Sequence, residues 1–302
     1  MLLLLEQMLN GLQFGVTLLL LASGLTLIFG IMNLINLAHG SLFMVGAYVA
    51  AWGARASGSF LLGLFGGMLA AFLVGVLVEL IVMRRLYKRD HLDQVLATFG
   101  LILFFNELVR IIWGRQPLPL DLPYWLAGSV EIIPDAPYPV FRLVVILVGI
   151  IVISLLYLLI QKTRLGMWIR AGSSNREMIS ALGVNIALLY TIIFGLGALL
   201  AGLAGVMAGP FSSIESGMGE SILILTFVVI VIGGIGSIKG AIVGSLLVGL
   251  TDALGRAYLP VLLRAIMSNS SADAIGAAIA SMLIYIIMAV VLAFKPRGLF
   301  SN

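Results

Sequence analysis

The feature that most constrains this chain is residues 7–54, a stretch without a single Asp, Glu, Lys or Arg. A helix crosses the hydrocarbon core of a bilayer with about 20 apolar residues, so the stretch is too long for one helix and long enough for two. Its natural break is the polar segment 33–40, which carries Asn33, Asn36, His39 and Gly40. Further apolar runs follow at residues 56–78, 94–113, 143–160, 187–209, 221–238 and 274–294, with a shorter one at 240–258. The expected fold is all-α: a polytopic transmembrane helical bundle of eight or nine membrane segments, with broken or re-entrant helices. Hydrophobic residues make up 62% and charged residues 10% of the chain, against roughly 45–50% and about 25% in soluble domains. No polar linker or low-complexity tract divides it, so residues 1–302 read as a single transmembrane domain. Residues 1–20 lack the cationic start of a cleavable signal peptide and read as the beginning of the first span.

The charges between the runs give the bundle a direction. Arg84, Arg85, Lys88 and Arg89 form one basic loop, Lys162, Arg164, Arg170 and Arg176 a second, and Lys295 and Arg297 close the last span. Lys and Arg concentrate on the cytoplasmic side of membrane proteins, so both loops and the C-terminus are expected there. The Pro-rich segment 114–139, with Asp121, Glu131 and Asp135, is expected as a polar loop facing outward. The N-terminus then lies outside if the break at 33–40 separates two full spans, and inside if one early segment is re-entrant. The net charge of +4 forms no basic face with interleaved aromatics, so nucleic acid is not an expected partner.

Helices in lipid associate through small residues that let backbones approach. Gly197, Ala201, Gly205 and Gly209 recur at four-residue spacing, and Gly236, Gly240 and Gly244 repeat the pattern. Such stripes serve helix packing within one subunit, a subunit interface or a pathway lined by backbone. Glu107 with Arg110 and Asp252 with Arg256 have the spacing of self-neutralising helical pairs. Asn33, Asn36, His39 and Gly40 sit where a helix breaks, which exposes backbone groups suited to solute recognition; a satisfied structural histidine is the competing reading. No run carries the isolated acid that a proton relay would use.

Several chemistries lack their residues. The stretch Gly233-Gly-Ile-Gly-Ser-Ile-Lys-Gly240 has the wrong order for a phosphate-binding loop, which needs Gly, then Lys, then Ser or Thr. His39 and His91 are too far apart for a metal-binding helix pair, no Gly-x-Ser-x-Gly elbow occurs, and the chain has no cysteine. No enzyme activity, metal or cofactor is therefore expected. The loop 170–183 is more informative. Its polar start, Ser173, Ser174 and Asn175, precedes a helix-compatible segment that ends at Gly183, and Ser174 and Glu177 have capping-box spacing. It reads as a docking knob for another protein or as an ordinary connecting helix.

The segment Gly24-Leu-Thr-Leu-Ile-Phe-Gly-Ile-Met-Asn-Leu-Ile-Asn-Leu-Ala-His-Gly-Ser-Leu-Phe-Met-Val-Gly-Ala-Tyr48 resembles the signature of LivH-type permease subunits of branched-chain amino acid importers. Residues 166–184, the Gly-rich sixth run and residues 233–249 are similar to that family in the same order. The resemblance implies a permease domain in a bacterial inner membrane, a second permease subunit of LivM type, two cytoplasmic ATP-binding subunits that use the ATP, and an external solute-binding protein. It further implies an ATPase-coupling role for Ser173, Ser174, Asn175, Glu177 and Gly183. Glu177 and Gly183 have the coupling-helix spacing, while Met178 and Ile179 stand where that motif has two alanines. Asn33, Asn36, His39 and Gly40 become candidates for the translocation path.

Two other classes compete. A self-sufficient secondary transporter would carry inverted internal repeats, and no convincing repeat is found. A membrane-embedded enzyme would need a cluster of reactive polar residues that the chain does not assemble. Within the family, urea or short amides are rival solutes.

Overall fold

The computed structural model describes residues 2–87, 89–133 and 136–300. Among the described residues the regular structure is helical apart from one hairpin. Helix α1 (Leu2–Met32) is followed by α2 (His39–Ser57), α3 (Phe60–Val78), a π-helical segment (Glu79–Met83) and the single turn α4 (Arg84–Leu86). After α5 (His91–Trp113) come strands β1 (Ser129–Ile133) and β2 (Ala136–Pro139), and then α6 (Val140–Lys162), α7 (Arg164–Ser174) and α8 (Arg176–Ala181). The chain ends with α9 (Ile186–Ala208), α10 (Met218–Gly233), α11 (Ile238–Leu263) and α12 (Asn269–Phe294).

Seven helices among the described residues are long and apolar enough to span a bilayer. The helix α2, diluted by polar residues at both ends, and the 16-residue α10 are not among the seven. Residues 33–38 interrupt α1 and α2 where the polar segment predicts a break. The segment expected as a short eighth run is instead the 26-residue α11. Asp252 and Arg256 neutralise each other across one turn at 2.8 Å, so they do not end the helix. The loop 114–139 contains the antiparallel hairpin β1–β2, which its alternation did not announce. Lys88 of the first basic loop and Asp135 of the Pro-rich loop lie outside the described residues.

The chain forms two compact units. The larger one comprises Ser23–Pro123 and Ile150–Ile224, and within it α9 is covered from Phe194 to Met207 on nearly every face. In α3 the buried positions are Phe60, Gly63, Gly67, Ala71, Gly75 and Val78, a small-residue stripe at four-residue spacing. The same helix exposes Leu61, Leu62, Phe65, Leu69, Leu73 and Leu77. Lipid solvates leucine as well as protein does, so nothing drives large apolar side chains inward, and small ones win the interior by allowing close backbone packing. A Cβ added to Gly46 would lie 2.5 Å from the Gly202 Cα, and one added to Gly63 would lie 2.5 Å from the Ala50 carbonyl oxygen.

The smaller unit comprises Met1–Ala22, Tyr124–Gly149 and Leu225–Asn302. Here Gly11 and Gly15 of α1 lie against Leu250 and Ser245 of α11, and Gly276 of α12 lies against Pro260. The C-terminal segment folds back on α10: the Leu299 and Phe300 amides donate to the Ile232 and Gly233 carbonyls, each at 2.9 Å. Those carbonyls belong to the last turn of α10, where no helical donor follows.

Candidate functional site

The break between α1 and α2 begins at Asn33, whose φ of 49° is left-handed. Its amide donates to the Phe29 carbonyl at 2.9 Å, and asparagine is the non-glycine residue that best tolerates this helix end. Asn33 is exposed, whereas Asn36, His39 and Gly40 are buried. The Ile35 amide donates to Gln94 Oε1 at 3.3 Å. The Gln94 amide nitrogen in turn donates to the Leu86 and Arg89 carbonyls at 3.3 and 3.2 Å. Gln94 thus ties the break before α2 to the connection between α4 and α5. Its residue type in the first turn of α5 gave no sign of this, because a glutamine there also suits solvent.

The Asn36 side chain is fully enclosed, and neither atom of its amide meets a hydrogen-bond partner among the described residues. A buried polar group left this way costs about 1–3 kcal/mol. The His39 ring lies beside the Gly24 backbone, where an added Cβ would sit 3.0 Å from Nε2. Gly40 in the first turn of α2 touches Gly219 in the first turn of α10, backbone against backbone. Two helix N-termini therefore abut at one point, with Asn36 and His39 leading into it. Gly219 was not anticipated, since a glycine near a helix start has many commoner uses.

The stripe on α9 is distributed over several neighbours. Gly197 faces Gly24 and Ile28 of α1, with the Gly24 oxygen 3.0 Å from an added Cβ. Gly205 faces the Phe43 carbonyl of α2, and Gly209 faces Leu120 and Ile214. Ala201 is fully buried. Each of these contacts lies within the larger unit. In the smaller unit, Gly240 and Gly244 of α11 lie against Gly233 and Val229 of α10, with the Val229 oxygen 2.5 Å from an added Cβ at Gly244. Gly236 is not on that helical face: it is exposed, in the connecting turn, with φ 82°. Ser237 caps α11 by accepting from the Gly240 amide at 3.1 Å. The glycines that mimic a phosphate loop thus serve a tight helix–turn–helix.

Glu79 lies just past the run 56–78 and is buried, but it is paired with Arg84 and so is not the isolated acid of a proton relay. It opens the π-helical segment in mid-helix and is fully buried. Arg84 pairs with it at 3.4 Å, Thr191 Oγ1 of α9 donates to Oε2 at 2.7 Å, and the Tyr87 hydroxyl donates to Oε1. Burial first, and then the Glu79 carboxylate, push the Tyr87 phenol far above its usual range, so the phenol keeps its proton and remains a donor. Arg84 also reaches Thr191 Oγ1 at 2.9 Å. In sequence the third run ends at Val78, just short of Glu79 and of the basic cluster that starts at Arg84. The apolar Leu80, Ile81, Val82 and Met83 between them were the signal that the helix continues.

The second basic loop folds as α7 and α8. The cap of α8 is Asn175, which accepts from the Met178 amide at 3.0 Å; Ser174, expected there, is the last residue of α7. Gly183 has φ 87°. Its amide donates to the Ser180 carbonyl at 3.0 Å and the Val184 amide to the Ile179 carbonyl at 3.3 Å, the paired bonds of a Schellman helix end. Ser173, Ser174, Asn175, Glu177 and Gly183 are all exposed, as are Met178 and Leu182. Trp168, Leu182, Gly183 and Leu188 border an open cavity of about 380 Å³ beside this short helix. Among the described residues no cluster of His, Cys, Asp or Glu could hold a metal ion.

The family described as "Branched-chain amino acid transport system / permease component" matches residues 7–292. The chain is 32% identical over 268 residues to the high-affinity branched-chain amino acid transport system permease protein LivH of Salmonella typhimurium, covering 84% of this chain and 87% of the relative. It is 29% identical over 312 residues to the corresponding protein BraD of Pseudomonas aeruginosa, covering 98% and 95%. A probable LivH of Methanocaldococcus jannaschii is 30% identical over 262 residues, covering 80% and 78%. No solved structure matches the chain.

Proposed function

The chain belongs to the family of branched-chain amino acid transport permease components, and from that premise we propose that it forms half of the translocation path of an ATP-driven importer for branched-chain or other hydrophobic amino acids. It is a multi-pass membrane protein without a phosphate-binding loop of its own, so the ATP is used by partner subunits. The proposed assembly is a second permease of LivM type, two cytoplasmic ATP-binding subunits and an external solute-binding protein, in a bacterial inner membrane with the C-terminus cytoplasmic. The observation that carries the reading is the short helix α8, capped at both ends and exposing Met178, Glu177 and Leu182. A rigid knob of this kind can transmit motion, because a ligand shifts a conformational equilibrium only through different affinities for its states. The pairing of Arg142 at the start of α6 with Asn10 of α1 supports an outward N-terminal end of α1, given an outward Pro-rich loop.

Replacing Glu177 by Ala, or Gly183 by Val, is expected to leave the permease in the membrane while lowering solute-stimulated ATPase activity of the whole complex at least fivefold. Valine at φ 87° costs about 1–2 kcal/mol and unwinds the end of α8. Normal assembly with unchanged stimulation would remove this loop from the mechanism.

Asn36, His39 and Gly40, with Asn33 at the edge, are proposed to border the path in its closed state. Asn36→Leu removes two unpartnered buried atoms, so the thermal midpoint of the purified complex should stay level or rise. Uptake into proteoliposomes should nonetheless fall at least tenfold. Wild-type uptake by this variant would assign the asparagine a purely structural place.

A further inference from the structure

In the smaller unit, parts of three membrane-length helices turn polar groups toward one open cleft of about 390 Å³. Gln7, Asn10 and Gln13 of α1 line it, together with Arg142 of α6 and Asp252 and Arg256 of α11. The three amides recur every third residue along one side of α1, inside the stretch that has no Asp, Glu, Lys or Arg. They are organised: Asn10 Nδ2 donates to Gln7 Oε1 at 3.2 Å, Gln13 Nε2 to Thr17 Oγ1 at 3.4 Å, and Arg142 donates to Asn10 Oδ1. Asp252 holds Arg256 at 2.8 Å, and Arg256 also reaches Ser281 Oγ of α12 at 3.2 Å.

Self-neutralisation explains Asp252 and Arg256 alone. It gives no reason for a second guanidinium and three amides to line the same cavity from other helices. Ionisable groups within spanning helices are costly and gather at solute sites. The volume lies within the roughly 300–1,000 Å³ of small-molecule pockets, and Phe14, Ala253 and Ala257 supply apolar wall. We propose that this cavity is a binding site for a small zwitterion, its carboxylate on Arg142 and Asn10, its ammonium on Asp252, and an aliphatic side chain against Phe14. The choice of an amino acid as occupant rests on the permease reading above. The pairing of ammonium and oxyanion is also offered by a phosphatidylethanolamine headgroup.

The test uses the whole complex in nanodiscs of phosphatidylglycerol, which has no ammonium, without the external binding protein. Binding of radiolabelled leucine is measured by equilibrium dialysis, with 4-methylpentanoate and isoamylamine as competitors that each lack one charged group. Leucine is expected to bind and both competitors to bind at least tenfold more weakly. Asp252→Asn should weaken leucine at least tenfold, about 1.4 kcal/mol, without changing 4-methylpentanoate. Arg142→Gln should weaken leucine equally without changing isoamylamine, and Arg142→Lys, with an unaltered gel-filtration profile, should restore part of the loss. If leucine does not bind, while phosphatidylethanolamine co-purifies with wild type and not with Asp252→Asn, the same chemistry is served by lipid. Leucine binding unchanged in all variants, or neither ligand held by wild type, overturns the site. Leucine uptake by the complete system reports separately on the permease reading: uptake without binding here overturns the cavity alone, and no amino acid uptake at all overturns the reading beneath it.

Discussion

Replacing Gly205 by Leu is expected to remove most folded protein from the membrane, whereas Gly100→Leu on α5 should leave its amount unchanged. An added Cβ at Gly205 runs into the Phe43 carbonyl, with the Phe43 carbon 2.9 Å and the Ala47 amide 3.3 Å away. These are backbone atoms, which cannot swing aside as a side chain does. Overpacking costs about 1–3 kcal/mol where side chains can adjust, and more is expected where two helices must separate along their length. A total stability of about 5–15 kcal/mol leaves little margin for that. Nothing lies within 4 Å of an added Cβ at Gly100. The adjacent glycines of α3 give an internal control: Gly67→Leu meets the Gly46 carbonyl and Ala50, while Gly66→Leu meets nothing within 4 Å. The yield of monodisperse protein in fluorescence-detected gel filtration should fall at least fivefold for Gly205→Leu and Gly67→Leu and stay level for Gly66→Leu and Gly100→Leu. Equal yields for all four would mean that close helix contact does not sustain the larger unit.

The same glycines mark what a sequence discloses about a fold in lipid. Apolar run length locates helices well, because the thickness of the hydrocarbon is an external ruler; the break at residues 33–38 and the ends of α5, α6 and α9 lie within a few residues of the runs. Spacing finds the α9 stripe but not its partners. Gly197, Gly205 and Gly209 share one period yet meet α1, α2 and the loop after α5. The stripe of Gly63, Gly67, Ala71 and Gly75 has the same period and went unread, since in α3 the conspicuous residues are the leucines that face lipid. Gly236 matches a helical period and lies in a turn, so periodicity alone cannot tell a packing glycine from a conformational one. The candidate site was legible where residue type is costly to misplace, as with Asn33 at a left-handed helix end and Gly183 at a Schellman end. It was illegible where the partner is remote: Gln94 acts on Ile35, and Glu79 on Thr191, through contacts that no local pattern encodes.

Arg84→Gln is expected to destabilise the protein more than Glu79→Gln, although the two residues form one ion pair. The asymmetry follows from burial. The Glu79 side chain is 0% exposed and that of Arg84 is 41% exposed. Removing the arginine leaves a carboxylate enclosed between α3 and α9 with only the neutral donors Tyr87 and Thr191. Breaking a buried pair from one side costs about 3–5 kcal/mol, and the exposure of Arg84 argues for the lower end of that range. Removing the glutamate charge leaves an amide whose oxygen still accepts from Tyr87 and whose nitrogen can donate to the Thr191 hydroxyl, and an arginine that can turn to water. Its cost should be nearer the roughly 1 kcal/mol of an ordinary hydrogen bond. The double variant then carries no stranded charge and should recover at least half of the Arg84→Gln loss. Thermal midpoints of the purified complex in one detergent measure all three. A larger loss for Glu79→Gln than for Arg84→Gln would show that the charge itself, and not its compensation, holds the π-helical segment against α9. π-Helical turns recur where a helix carries function, so the second readout is solute-stimulated ATPase activity. If the pair is only a strut, activity and midpoint fall together across the three variants. If the π-helical segment moves during transport, the double variant regains its midpoint without regaining its turnover, because an uncharged contact holds α3 on α9 in one state and offers nothing to exchange in the other.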